Sequence, residues 1–359
     1  MSKKPVQPQN AKCYTGARQG NHREQNKMIQ LKALLVIAAA ALAFAPQTSP
    51  AQSVFKCSTA SINDAGHEWC KRLVPALTTR SGGKITGEVY AGGQLGDVPR
   101  QIEGMQLGTI EGNGAPGAFF VGIDPRFQVL DAPGLFDSFD HLYRTVTDPA
   151  FRDKYLALGE PKGIVGLSLV TQAPNSVVSK KPIRTVEDFR GQKLRVFGSP
   201  LQIEAIKALN ATPSPMPLGE TLPALQTGVI DGALGSIVVF VASKYHVSAK
   251  YVTQLPFSYV VLMMGTSKMW LDKQTGEHRA LLRTIGHELD KELYEFSLAQ
   301  FPIAEKAWTE AGGELVSFAP AEAKRINDLV RPIGPQVMAE RPQVKEFYDV
   351  LLATAQKHK

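Results

Sequence analysis

The chain has 359 residues, 43% hydrophobic and 20% charged, with 31 Gly, 24 Pro and 3 Cys. That length suits two domains of ordinary size, and the apolar content excludes wholesale disorder. The cysteine count excludes a disulfide-dense mini-fold, and the composition fits neither a coiled coil nor a collagen.

The formal charge of +7 is concentrated at the N-terminus, where Lys3, Lys4, Lys12, Arg18, Arg23, Lys27 and Lys32 face one acid, Glu24. Residues 52–359 hold 33 basic and 32 acidic side chains. A body that balanced gives no electrostatic reason to expect nucleic acid or an anionic membrane as partner.

Residues 33–45 form an uninterrupted apolar run after Lys27 and Lys32, followed by a polar stretch ending Ser49-Pro50-Ala51. The pattern is that of a cleavable signal peptide spanning 1–51, cut after Ala51. The run is short for a membrane span, which takes about 20 residues. A start at Met28 would give this segment ordinary proportions, so residues 1–27 read as upstream of the true start; the alternative is an unusually long basic leader. Export places the body in an oxidising compartment. Cys13 lies in the discarded segment, and Cys57 and Cys70 either form one disulfide or remain as two buried thiols.

In the body, Val54–Ser58 reads as a strand. Ala65, Trp69, Leu73 and Leu77 are spaced for a helix over 65–79. Ile85–Tyr90 alternates like a strand, Gly92–Asp97 is a tight loop, and a helix follows at about 98–108. Thr109–Asn113 reads as the next strand. This order describes a parallel α/β sheet. In the middle of the chain, Gly163–Thr171 and Val177–Ser179 read as two strands, Val186–Gly191 as a short helix and Gln192–Phe197 as a strand. Pro200–Leu209 reads as a helix, Ser214–Met216 as a short strand, and Glu220–Thr227 as a helix closed by Gly228. Val229–Gly232 leads into a turn. Tyr251–Thr266 reads as strand. From Gly276 a long helix carries the stripe Leu282, Ile285, Leu289, Leu293 and Phe296, with Pro302 kinking or ending it. Glu314–Phe318 is a strand, and Pro320 opens another helix.

The sequence lacks a Gly-x-Ser-x-Gly elbow, a His-Glu-x-x-His helix and a Cys-x-x-Cys pair. The histidines have no metal-ligand spacing, so neither metal nor cofactor is expected. Gly112–Gly117 satisfies Gly-x-Gly-x-x-Gly, with Asp137 twenty residues beyond. Pro116 removes an N–H donor and the motif follows two strand–helix units rather than the first strand, which argues against a dinucleotide site. The milder reading is a strand end followed by backbone N–H groups that could hold an anion.

Three stretches are more specific: Asp188–Val196 (Asp-Phe-Arg-Gly-Gln-Lys-Leu-Arg-Val), Leu209–Pro217, and Glu220–Gly232 with its Leu-Gln-Thr-Gly-Val-Ile-Asp-Gly block. With Gly82–Ile85, Gln94–Asp97, Gln106–Glu111, Ala132–Phe136 and Tyr245–Tyr251, the sequence resembles the solute-binding proteins of tripartite ATP-independent periplasmic (TRAP) transporters through essentially all of 53–345. The resemblance implies a two-lobed α/β periplasmic-binding-protein fold, type II-like, with a ligand cleft between lobes and a long C-terminal helix crossing them. The expected lobes are 53–172 with about 261–300, and 173–260 with about 301–359. The implied function is capture of a small carboxylate-containing solute by hinge closure in the periplasm, and its delivery to the membrane permease subunits of a TRAP system.

In that family an Arg at the position of Arg195 forms a bidentate pair with the ligand carboxylate, which suits the parallel N–H donors of a guanidinium. Without the resemblance, the favoured reading of Arg195 is as the partner of a protein carboxylate such as Glu204 or Glu220. Family members often carry Asn after the Asp-Gly turn; here Gly235 stands there, with Ser236 next to it as a substitute. Asn175 falls where some members carry a second Arg, and Leu218 where some carry an aromatic. Ser61 and Asp97 read either as contacts to polar parts of the solute or as loop-stabilising residues. Two other readings stand beside this one: a ligand receptor for a sensor protein, and an exported α/β enzyme acting on an organic acid. The enzyme reading lacks a nucleophile–base set.

Overall fold

The computed structural model describes residues 53–359; the expected signal segment, 1–51, and Cys13 lie outside the described residues. Among these residues nine strands form one sheet in the order β2-β1-β3-β8-β4-β7-β5-β6, with β9 (Glu314–Val316) added beside β8. One wing of the sheet is β1 (Ser53–Ser58), β2 (Ile85–Tyr90) and β3 (Gly112–Pro116), all parallel. The other is β5 (Lys193–Val196), β6 (Thr212–Pro215) and β7 (Gly232–Gly235), also parallel. Between them run two long antiparallel strands, β4 (Ile164–Ser179) and β8 (Tyr251–Ser267). The sheet is therefore mixed, not purely parallel as the element order suggested.

Helix α1 (Ala65–Arg80) starts where the Asp64 side chain accepts from His67 N, and buries Trp69, Leu73 and Leu77 as their four-residue spacing requires. The Cys57–Cys70 disulfide joins β1 to α1 across a Cα–Cα distance of 5.7 Å. Helix α2 (Val98–Leu107) is capped by Asp97 and closed by Gly108 at φ +71°. That closure explains why β3 begins later than the sequence suggests: the N–H groups of Thr109 and Ile110 both donate to Gly104 O, so these residues end the helix instead of joining the sheet.

The stretch read as two strands, Gly163–Thr171 and Val177–Ser179, is the single strand β4. Its register against β8 slips at Thr171/Ala173 and Pro174/Ser176. Pro174 donates no ladder hydrogen bond, and such slips let a strand continue past it. Where Val229–Gly232 was expected to lead into a turn, Gly232–Gly235 is strand β7. Gly232 is required there, because a Cβ would lie 2.6 Å from Val178 O on the neighbouring strand.

Helices α3 (Phe139–Thr147) and α4 (Pro149–Ala157) occupy a stretch without a sequence assignment. Next come α5 (Pro200–Ala208), α6 (Leu218–Thr227) and α7 (Ile237–Ala242). Helix α8 (Gly276–Glu310) runs 35 residues straight through Pro302, which is exposed. It continues because Ala304 and Trp308 are buried beyond it, with Trp308 Nε1 donating to Lys250 O at 3.2 Å. Leu282, Ile285 and Leu289 of α8 belong to the core under β1, while Ala304 and Trp308 belong to the core beside β7. One helix thus braces both wings. Ile326 and Val330 of α9 (Pro320–Val330) pack with Phe189 and Leu194 on the second wing. The chain then returns: α10 (Ile333–Ala339) and α11 (Pro342–Lys357) place Met338, Phe347 and Leu351 in the core with Phe127 and Tyr155. Among the described residues, no helix is long and apolar enough to cross a membrane.

Candidate functional site

Arg195 is the third residue of β5, between Ser214 of β6 and Ala233 of β7. Its side chain is 2% exposed. Nε donates to Met216 O at 3.0 Å and Nη1 to Leu234 O at 3.0 Å, and the guanidinium carbon lies 4.7 Å from the centroid of the Phe197 ring. These contacts fix the plane of the group and leave both hydrogens of Nη2 and one of Nη1 without a partner among the described residues. The internal ion pair considered from sequence is not made. Glu204 pairs with Lys207 at 2.8 Å, and Glu220 is exposed. Removal from water pulls the Arg195 pKa down to about 10, so the group stays cationic at neutral pH.

Arg195 lines a cleft that collects residues from both wings. Leu218 at the start of α6 and Gly235 and Ser236 at the end of β7 line it on one side. Ser236 also caps α7, its Oγ accepting from Val238 N at 3.2 Å. Ser61 lines the opposite side and donates to Asp64. Two expected contacts are not in the lining. Asp97 is occupied as the cap of α2, accepting from Arg100 N at 3.1 Å. Asn175 is fully buried in β4, where Nδ2 donates to Ser258 Oγ at 3.1 Å.

The sequence reading missed several lining residues: Thr59, Asp64, Phe119, Gln172, Thr221 and Tyr245. Gln172 was the most legible of these in the sequence, a long polar side chain in the middle of a strand that is buried nearly throughout; the rest are assembled from distant segments. Burial pushes the Asp64 carboxyl up, opposed by the hydrogen bond from Ser61 and that from His67 N–H. Gly235 sits where a Cβ would come 2.9 Å from Phe240 Cε1, so the Phe240 ring fills the space that a side chain at 235 would claim.

The Gly-x-Gly-x-x-Gly motif has a packing role. A Cβ at Gly112 would lie 2.5 Å from the Phe55 ring, one at Gly114 would lie 2.0 Å from Met264 Sδ, and one at Gly117 would lie 2.3 Å from Tyr155 Oη. The glycines allow neighbouring side chains, not a pyrophosphate, to approach the backbone. Among the described residues no three His, Cys, Asp or Glu side chains gather to hold a metal ion.

The model of the bacterial extracellular solute-binding proteins, family 7 (DctP), matches residues 57–341. The 2,3-diketo-L-gulonate-binding periplasmic protein YiaO of Escherichia coli is 28% identical over 247 residues, covering 68% of this chain and 75% of that protein. The structure of a TRAP periplasmic solute-binding protein from Pseudomonas putida F1 with bound D-glucuronate is 26% identical, with a TM-score of 0.76 over 82% of this chain and 96% of that one. A galactonate complex from Advenella mimigardefordensis, 22% identical, shares the two-lobed fold at a TM-score of 0.80, covering 85% of this chain and 98% of that chain.

Proposed function

The chain belongs to family 7 of the bacterial extracellular solute-binding proteins, and from that premise we propose that it captures a small carboxylate in the cleft around Arg195. One observation carries the proposal. Arg195 is a buried cation with no carboxylate in ion-pair range among the described residues, and its spare N–H groups belong to a side chain that lines the cleft. A buried charge is stable only when paired, and two parallel N–H donors match two carboxylate oxygens. Ser236, Gly235, Leu218 and Ser61 complete the proposed contacts. The sugar acids held by the relatives above support a carboxylate as the common feature.

The lobes of this proposal are 53–172 with about 261–300, and 173–260 with about 301–330, the second shortened from the 301–359 expected from sequence. Helices α10 and α11 are assigned to the first lobe because their apolar faces join its core. Ligand contacts to both lobes favour the closed state, and that state docks on the permease subunits of a TRAP system in the periplasm. The relatives named above are solute-binding proteins, which supports a binding role over catalysis. A thermal-shift and calorimetric screen against organic acids tests the reading. A hit whose affinity vanishes in Arg195→Ala supports it. Chemical turnover of the hit would overturn it in favour of an exported enzyme.

A further inference from the structure

The cleft that holds Arg195 is poor in charged groups. Among the described residues, Arg195 and Asp64 are the only charged side chains in its lining. A second carboxylate on a solute would therefore meet no second cation, and would face Asp64 instead. Most lining hydroxyls are already committed: Thr59 Oγ1 donates to Ser61 O at 2.8 Å, Ser61 to Asp64, and Thr221 Oγ1 to Pro217 O at 3.0 Å. The Tyr245 hydroxyl keeps its hydrogen free among the described residues. The side-chain donors left over are the spare Arg195 N–H groups, the Ser236 and Tyr245 hydroxyl hydrogens and the Gln172 amide. The Arg195 groups satisfy one carboxylate, and the rest serve only a few further polar atoms.

The remaining wall is apolar. Phe119 and Phe197 face each other with ring centroids 6.0 Å apart, and Phe240 lies 5.3 Å from Tyr245. Leu218, Val239 and Val260 complete it. Along this wall several hydroxyls of a polyhydroxylated acid would lie against carbon, which costs affinity, whereas an aromatic body loses little on leaving water there.

We propose that the solute is a monocarboxylate with an apolar, aromatic body, not a sugar acid or a dicarboxylate. This rests on the carboxylate reading above and narrows it to a chemical class. The solutes bound by the relatives belong to those proteins' own clefts.

The test uses the purified protein, refolded from denaturant to strip any resident solute. Calorimetry compares phenylacetate and phenylpyruvate with glucuronate, succinate and the neutral phenylacetamide. The expected result is that an aryl acid binds at least about tenfold more tightly than glucuronate and succinate. Phenylacetamide should not compete, and Leu218→Gln, at a half-buried position, should narrow the gap. Tighter binding of glucuronate or succinate that still depends on Arg195 would overturn the aromatic inference and leave the carboxylate reading standing. Equal binding of phenylacetamide and phenylacetate, or affinities unchanged in a folded Arg195→Ala variant, would overturn the carboxylate reading itself. Binding of none of the five probes would overturn the inference as well.

Discussion

The guanidinium of Arg195 lies over the ring of Phe197, two residues further along the same chain, at 4.7 Å. The ring shields one face of the cation from water, while Met216 O and Leu234 O hold its edge. Among the described residues no carboxylate competes for the remaining donors. The arrangement keeps a charge ready for an anion and makes its own geometry independent of that anion.

Arg195→Ala should weaken binding of the cognate acid by about 2–5 kcal/mol, the range for truncating one partner of a buried charge pair. Arg195→Lys should recover little of it, because an ammonium cannot present two parallel donors. Isothermal calorimetry on variants shown by circular dichroism to be folded checks both. Wild-type affinity in Arg195→Ala would place the anion elsewhere.

The Cys57–Cys70 bond closes a short loop, with a sequence separation of 13. Replacing both cysteines with alanine should lower stability by about 3 kcal/mol, chiefly by freeing the unfolded chain. Neither cysteine lines the cleft, so ligand affinity should not change. Urea titration with and without ligand separates the two quantities.

Arg152 and Asp290 form a buried pair that ties α4 to α8. Arg152 Nε donates to Asp290 Oδ2 at 2.6 Å and Nη2 to Leu167 O at 2.8 Å, while Asp290 Oδ1 accepts from Leu169 N at 3.0 Å. Asp290→Ala strands the guanidinium and should destabilise by about 3–5 kcal/mol. The double variant Arg152→Met/Asp290→Leu should be less destabilised than Asp290→Ala alone. Denaturation midpoints of the three proteins decide it.

Asp131 gives a pH dependence of definite sign. Burial pushes its carboxyl from 3.8 up to about 7, against opposing hydrogen bonds from Ser199 and Gln202. The folded chain keeps a proton that the unfolded chain has released above pH 3.8. This group therefore makes the protein less stable as pH rises from about 4 to 7. Asp131→Asn, which carries no such proton, should gain on the wild type across that window and hold a constant advantage above it. Urea midpoints measured from pH 5 to 8 give the comparison; a parallel pH response of the two proteins would refute it.

Asp148 acts in the opposite sense. Its carboxylate accepts from Lys357 Nζ at 2.6 Å and from Ala150 N at 2.9 Å, and lies 2.8 Å from His358 Nε2, which holds its pKa down to about 2. The stability it contributes is complete above pH 3.8 and is lost as pH falls toward 2. Asp148→Ala should loosen the C-terminal end of α11 at neutral pH, read as faster amide exchange there, and should flatten the acid limb of the stability curve.

The sequence by itself determined the kinds of elements and their order wherever the pattern is local. Four-residue spacing in α1, the stripe on α8 and the Gly228 stop after α6 express helix geometry that neighbouring residues impose on one another. It also identified the family and singled out Arg195, because the motif blocks around that residue are contiguous. Tertiary structure decided what depends on partners distant in the chain. Pro174 within β4 looks like a break until β8 supplies the slipped register. The Gly232–Gly235 strand looks like a turn until β4 and β5 close on both sides of it. Whether Arg195 meets Glu204, Glu220 or none is set by the backbone of Met216 and Leu234 and by Phe197. Asp97 and Asn175, plausible contacts by position, are committed elsewhere by a helix cap and by Ser258. The apolar wall of Phe119, Phe197 and Phe240 combines segments that no local pattern connects, since cleft lining is a property of which alternating side chains face inward after the sheet has formed.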